Sequence, residues 1–239
     1  MAESRLTFKQ LRCEVGMYIR ENRSALLGFV VLNFLFLIVL AHGLGGISTL
    51  WFLLWGLGYY IFSFAFFRYL FKRSPYLWTV KFFDTWSPAI KVMFMVLLGL
   101  TILAYLPYFP LLFGSISESA KASITGFIDT FMGNSKIYDS FISLVLLLMA
   151  PIILYRPLLA WVSAVIGRSG SLKNAFKRTS GYYRLFLEIC VCFYVVGWVL
   201  FLADMLIPVH GVLLALTFAP LILLFYMYVA KTFENLFLD

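Results

Sequence analysis

The sequence predicts an all-α polytopic membrane protein, with six transmembrane helices arranged in pairs and an interfacial amphipathic helix ahead of each pair. Three observations predict it. The 239 residues are 63% hydrophobic and only 13% charged, whereas soluble domains are about half apolar and about a quarter charged. So few polar side chains cannot cover a globule of this length, so most of the surface has to meet lipid. The apolar residues also fall into runs near the roughly 20 residues that one helical crossing needs, and the basic residues gather on one side of those runs.

In chain order the runs are 24–43, 48–70, 89–112, 138–166, 185–206 and 210–230. "HGLGG" at 42–46 joins the first two tightly and "IPVHG" at 207–211 joins the last two, while 113–136 is a longer polar insert. The chain reads as one integral membrane domain over 1–239. Residues 1–23 form an N-terminal cytoplasmic interfacial helix, 24–230 the six-helix region and 231–239 a cytoplasmic tail. The first 23 residues lack the compact charged region, short apolar core and cleavage site of a signal peptide, and are expected to stay on the mature protein.

The charges test this division independently. Arg5, Lys9, Arg12, Arg20 and Arg23 precede the first run, and Arg68, Lys72, Arg73, Lys81 and Lys91 lie around the second connection. Arg168, Lys173, Lys177, Arg178 and Arg184 fill the fourth connection and Lys231 follows the last run, while the opposite side has Lys121 and Lys136. Sixteen against two is the bias that holds basic loops in the cytoplasm. It places both termini inside, in a bacterial-type cytoplasmic membrane. The formal charge of +8 is then an orienting feature, and nucleic acid is not an expected partner.

"GSLKNAFKRTSGYYRLF" at 170–186 carries four basic residues and no acid. Leu172, Phe176, Thr179 and Tyr183 recur at helical spacing, with basic residues at the other positions, which is the pattern of a helix lying on anionic headgroups. Lys173, Lys177, Arg178 and Arg184 are therefore the candidate headgroup-binding residues. "RLTFKQLRCEVGMYIRENR" before the first crossing and "YLWTVKFFDTWSPAIK" before the third have the same mixed basic and aromatic character. Three units of one plan follow, each an interfacial helix and a membrane hairpin.

The phrase "SLKNAFKRTSGYYRLF" followed by "FYVVGWVL", within residues 171–200, resembles the six-helix bacterial membrane domains related to the glycerophosphodiester phosphodiesterase membrane domain and their uncharacterised relatives. Ala175 and Thr179 sit where that family has the Ala and Ser of a small-x-x-x-Ala-x-x-x-Ser phrase. The resemblance implies a six-helix membrane module with no catalytic centre of its own, and so carries over no active-site residues.

Motifs for catalysis are missing from the sequence: there is no H-E-x-x-H, G-x-S-x-G or phosphate-binding G-x-x-x-x-G-K-[ST]. Cys13, Cys190 and Cys192 have no zinc or disulfide spacing, and His42 and His210 occupy outer turns, too few for a metal site. No cofactor or metal is expected. Ionisable groups within apolar runs cost most to bury, which singles out Arg156, Glu188 and Asp204 as a possible polar membrane site. Arg156 lies between Pro151 and Pro157. Either the fourth helix ends near Tyr155 and Arg156 snorkels to the interface, or the prolines open a polar break along a substrate path. Glu188 stands four residues after Arg184, at ion-pair spacing, and Asp204 lies beside the outer turn. Gly56, Gly58, Gly99 and Gly197 mark sites of close helix approach.

These features point to a non-enzymatic membrane protein acting as a scaffold, assembly factor or lipid-interacting accessory subunit. Its expected partners are anionic membrane lipids and a protein of a membrane complex. A small transporter or channel component built on Arg156 is the first alternative. A lipid-modifying enzyme using Asp84, in "KFFDTWSP", is the second.

Overall fold

A computed structural model describes residues 6–43, 49–72, 84–91, 94, 98, 122–123, 126, 144, 147–168, 170–205 and 212–238. Among the described residues there is no strand, so the all-α expectation holds. Among the described residues three helices, Leu147–Val165, Ser180–Leu200 and Ala215–Leu238, are long and apolar enough to cross a membrane, with a fourth span if the bent pair over Phe8–Val39 counts as one. Most of the expected third crossing and the 113–136 insert fall outside the described residues.

Helix α1 (Phe8–Glu21) starts at Thr7, whose hydroxyl accepts the Gln10 N–H at 3.3 Å. This satisfies one of the donors that a helix start leaves unpaired. It buries Leu11 and Val15 and exposes Lys9, Arg12 and Arg20. At Asn22 the chain turns by 96° into α2 (Arg23–Gly43). Asn22 stops α1 by doubling on one acceptor: its backbone N–H and its side-chain amide both donate to the Tyr18 carbonyl, at 3.1 and 3.0 Å. The polar α1 therefore stands nearly perpendicular to the apolar α2.

Helix α3 (Thr49–Leu70) packs beside α2. Gly58 makes room for this, because a Cβ there would stand 3.1 Å from the Phe36 ring. Gly197 similarly lies against Phe218, whereas Gly56 has open space around it and serves no close approach. The core between α2, α3 and the helix over Val212–Phe233 is largely aromatic: Phe29, Phe62, Phe66, Phe67 and Tyr226 meet at ring separations of 4.9 to 6.4 Å. Such edge and offset contacts add about 0.5–1.5 kcal/mol each beyond area burial.

The fourth apolar segment departs from a plain crossing. A π-helical turn spans Pro151–Tyr155 and runs straight into α4 (Arg156–Val165), so the helix does not end near Tyr155. Pro151 and Pro157 lack the N–H groups that an unbroken α ladder would use. The Arg156 N–H bonds the Pro151 carbonyl five residues back, which is how a π turn absorbs the register change. Every residue from Leu159 to Ile166 is buried, so protein encloses this stretch on all sides, unlike a lipid-facing helix.

On α3 and on the helix Val212–Phe233 (α7) the partners of this stretch lie in the second halves. Tyr155 meets Phe225 and Thr232, Trp161 meets Tyr60 and Phe67, and the Val165 carbonyl meets Arg68. The helix stops in a Schellman turn, with Gly167 at φ 85°, the Gly167 N–H on the Ala164 carbonyl and the Arg168 N–H on the Ser163 carbonyl.

Three further helices lie among the described residues: α5 (Leu172–Arg178), α6 (Tyr183–Met205) and α7 (Val212–Phe233), which continues as a π turn over Glu234–Leu238. α7 is the central element and touches α1, α2, α3, α4 and α6. The start of α2, the ends of α3, α4 and α7 and the start of α6 meet at one end of the bundle, joined by Tyr69 to Asn22, Arg68 to Val165 and Arg168 to Phe237. Arg20, Arg23, Arg68, Lys72, Arg168 and Lys231 all belong to this basic end.

Candidate functional site

The basic end is built around α5. Ser171 caps it by accepting the Asn174 N–H at 3.4 Å. The helix closes at Thr179, whose N–H and hydroxyl both donate to the Ala175 carbonyl, at 3.1 and 2.7 Å. A 3₁₀ turn over Ser180–Tyr182 then leads into α6. The helix expected through 170–186 is therefore broken at Thr179, where a hydroxyl competes with the backbone ladder for the same carbonyl. Ala175 and Thr179 are buried, Leu172, Phe176 and Tyr183 are half-buried, and Lys173, Lys177 and Arg178 are exposed.

Arg156 reaches α5 from below. Its Nη2 donates to the Thr179 carbonyl at 3.2 Å and its guanidinium lies 5.5 Å from the centre of the Phe176 ring. Its Nε is buried without a partner. Arg156 thus stitches α4 to α5 at the basic end.

Glu188 pairs with Arg184 at 3.0 Å and does not join Arg156. With the Arg184 side chain 92% exposed, such a pair contributes only a few tenths of a kcal/mol. The side chains of Asp204 and His42, and all of His210, lie outside the described residues. Arg156 and Glu188 therefore do not meet in one site, and among the described residues no group of three His, Cys, Asp or Glu could hold a metal.

Arg168 and Arg178 turn toward the C-terminal π turn. Arg178 donates to the Leu236 carbonyl at 3.3 Å and lies 5.4 Å from the Phe237 ring centre, while Arg168 donates to the Phe237 carbonyl at 2.5 Å. The four candidate headgroup residues thus divide. Lys173 and Lys177 point outward, Arg178 is engaged by the tail and Arg184 by Glu188.

On the other flank of the tail an open cleft of about 390 Å³ separates α1 from the end of α7, lined by Glu14, Met17, Tyr18, Glu21, Lys231, Glu234 and Asn235. Lys231 pairs with Glu234 and lies over the Tyr18 ring, and the Asn235 amide donates to Glu14 at 2.8 Å. Burial, reinforced by Tyr69 and Glu234, pushes the Tyr18 hydroxyl up to about 12, so it stays neutral and a donor at ordinary pH.

Two polar positions were not singled out in the sequence. Asn33 is fully buried in α2 and its Nδ2 donates to the Ala219 carbonyl of α7 at 2.9 Å. The signal was present: a lone amide near the middle of the 24–43 run. Arg68 counts as a loop charge by position, yet it is only 5% exposed. Its Nη1 donates to the Val165 carbonyl at 3.1 Å and its guanidinium lies over Phe64, because α3 continues unbroken past it to Leu70.

No protein-family model, no curated protein and no solved structure matches this chain.

Proposed function

We propose that this protein is a non-enzymatic, six-crossing protein of a bacterial-type cytoplasmic membrane, serving as a scaffold, assembly or lipid-interacting accessory subunit whose basic end grips anionic headgroups. One observation carries the reading: α5 exposes Lys173 and Lys177 on one side and buries Ala175 and Thr179 on the other, at a junction of membrane-length apolar helices. Each such cation near an anionic leaflet contributes about 1 kcal/mol. Both termini and the loops at 71–88 and 167–184 are cytoplasmic in this reading, with 113–136 outside.

The purified protein should retain anionic lipid through detergent exchange. Lys173→Gln with Lys177→Gln should lower that retention, and raising the salt should lower it further by screening. Equal retention of anionic and neutral lipid by both proteins would overturn the reading. Orientation is tested by thiol labelling in a cysteine-free background, where labelling from outside at Ser180→Cys but not at Ser119→Cys would invert the topology.

A transport role is the second reading. It draws on the partnerless Nε of Arg156 beside a π turn, since such turns are frequent at functional sites.

A further inference from the structure

We infer that Arg168 and Arg178 form a binding pair for the phosphate of an anionic lipid headgroup, and that the carbonyls of the C-terminal turn Glu234–Leu238 compete with that phosphate for the pair. The inference rests on the headgroup reading above. It adds Arg168 to the site and a competing occupant.

The two guanidinium groups converge on the carbonyls of neighbouring residues, Phe237 for Arg168 and Leu236 for Arg178. Among the described residues neither is ion-paired, for the pairs at this end use Lys231 with Glu234 and Arg184 with Glu188. Two like charges are thus held over one small patch by neutral oxygens and the Phe237 ring. A guanidinium has five N–H donors in a planar fork, and one carbonyl uses a single donor of each. A phosphate accepts two in parallel and carries charge, which makes its hydrogen bonds roughly twice as strong as neutral ones.

The present occupant is replaceable. The last carbonyls of a helix have no partner within it, and a π turn is a marginal conformation. The turn is held otherwise by the stack of Phe237 on Phe233 at 4.6 Å, by Glu234 on Lys231 and by the Asn235 amide on Glu14 and on the Lys231 carbonyl. A headgroup that takes both arginines therefore frees the tail, and tail exposure reports occupancy.

The test uses the full chain in lipid nanodiscs, with Cys13, Cys190 and Cys192 replaced and Leu236→Cys as a thiol probe. That position is half-buried in the seated tail and keeps its backbone carbonyl. Replacing neutral phosphatidylcholine with a mixture rich in phosphatidylglycerol should raise the labelling rate by roughly fivefold, the factor that corresponds to about 1 kcal/mol for one arginine drawn to an anionic surface. Arg168→Gln with Arg178→Gln should label fast in both lipids, and Arg178→Lys, which keeps the charge and loses the fork, should show a reduced lipid response. Anionic-lipid retention is measured on the same samples. Retention without any lipid dependence of labelling would overturn the binding pair and leave the headgroup reading standing; loss of retention would overturn both. An equal rise on adding inorganic phosphate to neutral nanodiscs would make the ligand a free anion and overturn the lipid assignment.

Discussion

The side-chain amide of Asn33 in α2 donates to the backbone carbonyl of Ala219 in α7 across 2.9 Å, one residue before Pro220. Pro220 cannot donate to the carbonyl four residues back, so the polar staple sits beside the point where the α7 ladder is interrupted. The Oδ1 of Asn33 has no partner, so the residue gains from one hydrogen bond and is charged for one orphaned acceptor. Asn33→Leu removes both and should change stability by less than about 1 kcal/mol, in line with the roughly 0.6 kcal/mol average for hydrogen bonds between membrane helices. Asn33→Asp presents oxygens to the Ala219 carbonyl and should cost at least about 2.5 kcal/mol if it stays charged. Thermal unfolding in detergent ranks the two, and equal losses would contradict this account.

Tyr155 and Thr232 share a hydrogen bond of 2.9 Å with both side chains buried, and the Tyr155 ring stacks on Phe186 at 4.6 Å. Tyr155→Phe keeps the stack and should lose about 1 kcal/mol. Tyr155→Ala leaves a cavity where π turn, α6 and α7 meet and should lose about 3–5 kcal/mol, the range for large aromatic truncations. Similar melting temperatures for the two variants would show that the ring carries little.

Arg156 ties α4 to α5 through the Thr179 carbonyl and the Phe176 ring. Arg156→Leu should cost about 1.5–3 kcal/mol, the usual value of a hydrogen bond to a charged group, and should speed proteolysis within 170–182 before the rest of the chain. Arg156→Lys should recover only part of this, because an ammonium lacks the planar face that stacks on Phe176. An unchanged digestion pattern in Arg156→Leu would mean that the side chain does not anchor α5.

Gly170 is packed so closely that a Cβ there would stand 2.7 Å from Pro88 Cγ and 2.9 Å from Ala164 Cβ. Neither neighbour can swing away, one being a ring and the other attached directly to backbone. Gly170→Ala should therefore cost about 1–3 kcal/mol, whereas Gly56→Ala, with open space around it, should be neutral or slightly stabilising. Their melting temperatures, compared in one detergent, check both.

The all-helical class, the membrane setting and the boundary between the N-terminal helix and the first apolar one could all be read from the sequence, because each follows from local chemistry: apolar run length and the change from a mixed polar stretch to an apolar one after residue 23. The Arg184–Glu188 pair was legible for the same reason, being set by a spacing of four along one helix. What the residues of the fourth segment do was not. Its composition suits a crossing, and only its neighbours distinguish a lipid-facing helix from one enclosed over Leu159–Ile166, since burial depends on what the rest of the chain places around it. Arg68 and Arg168 likewise count as loop charges by position, and only the meeting of α3, α4 and the C-terminal turn gave them the carbonyls of Val165 and Phe237. Hydrogen bonds between residues so far apart in sequence leave no periodic trace. The sequence by itself determined which segments seek lipid and which carry charge; the tertiary structure alone decided which of those charges meet water and which are spent on the protein's own backbone.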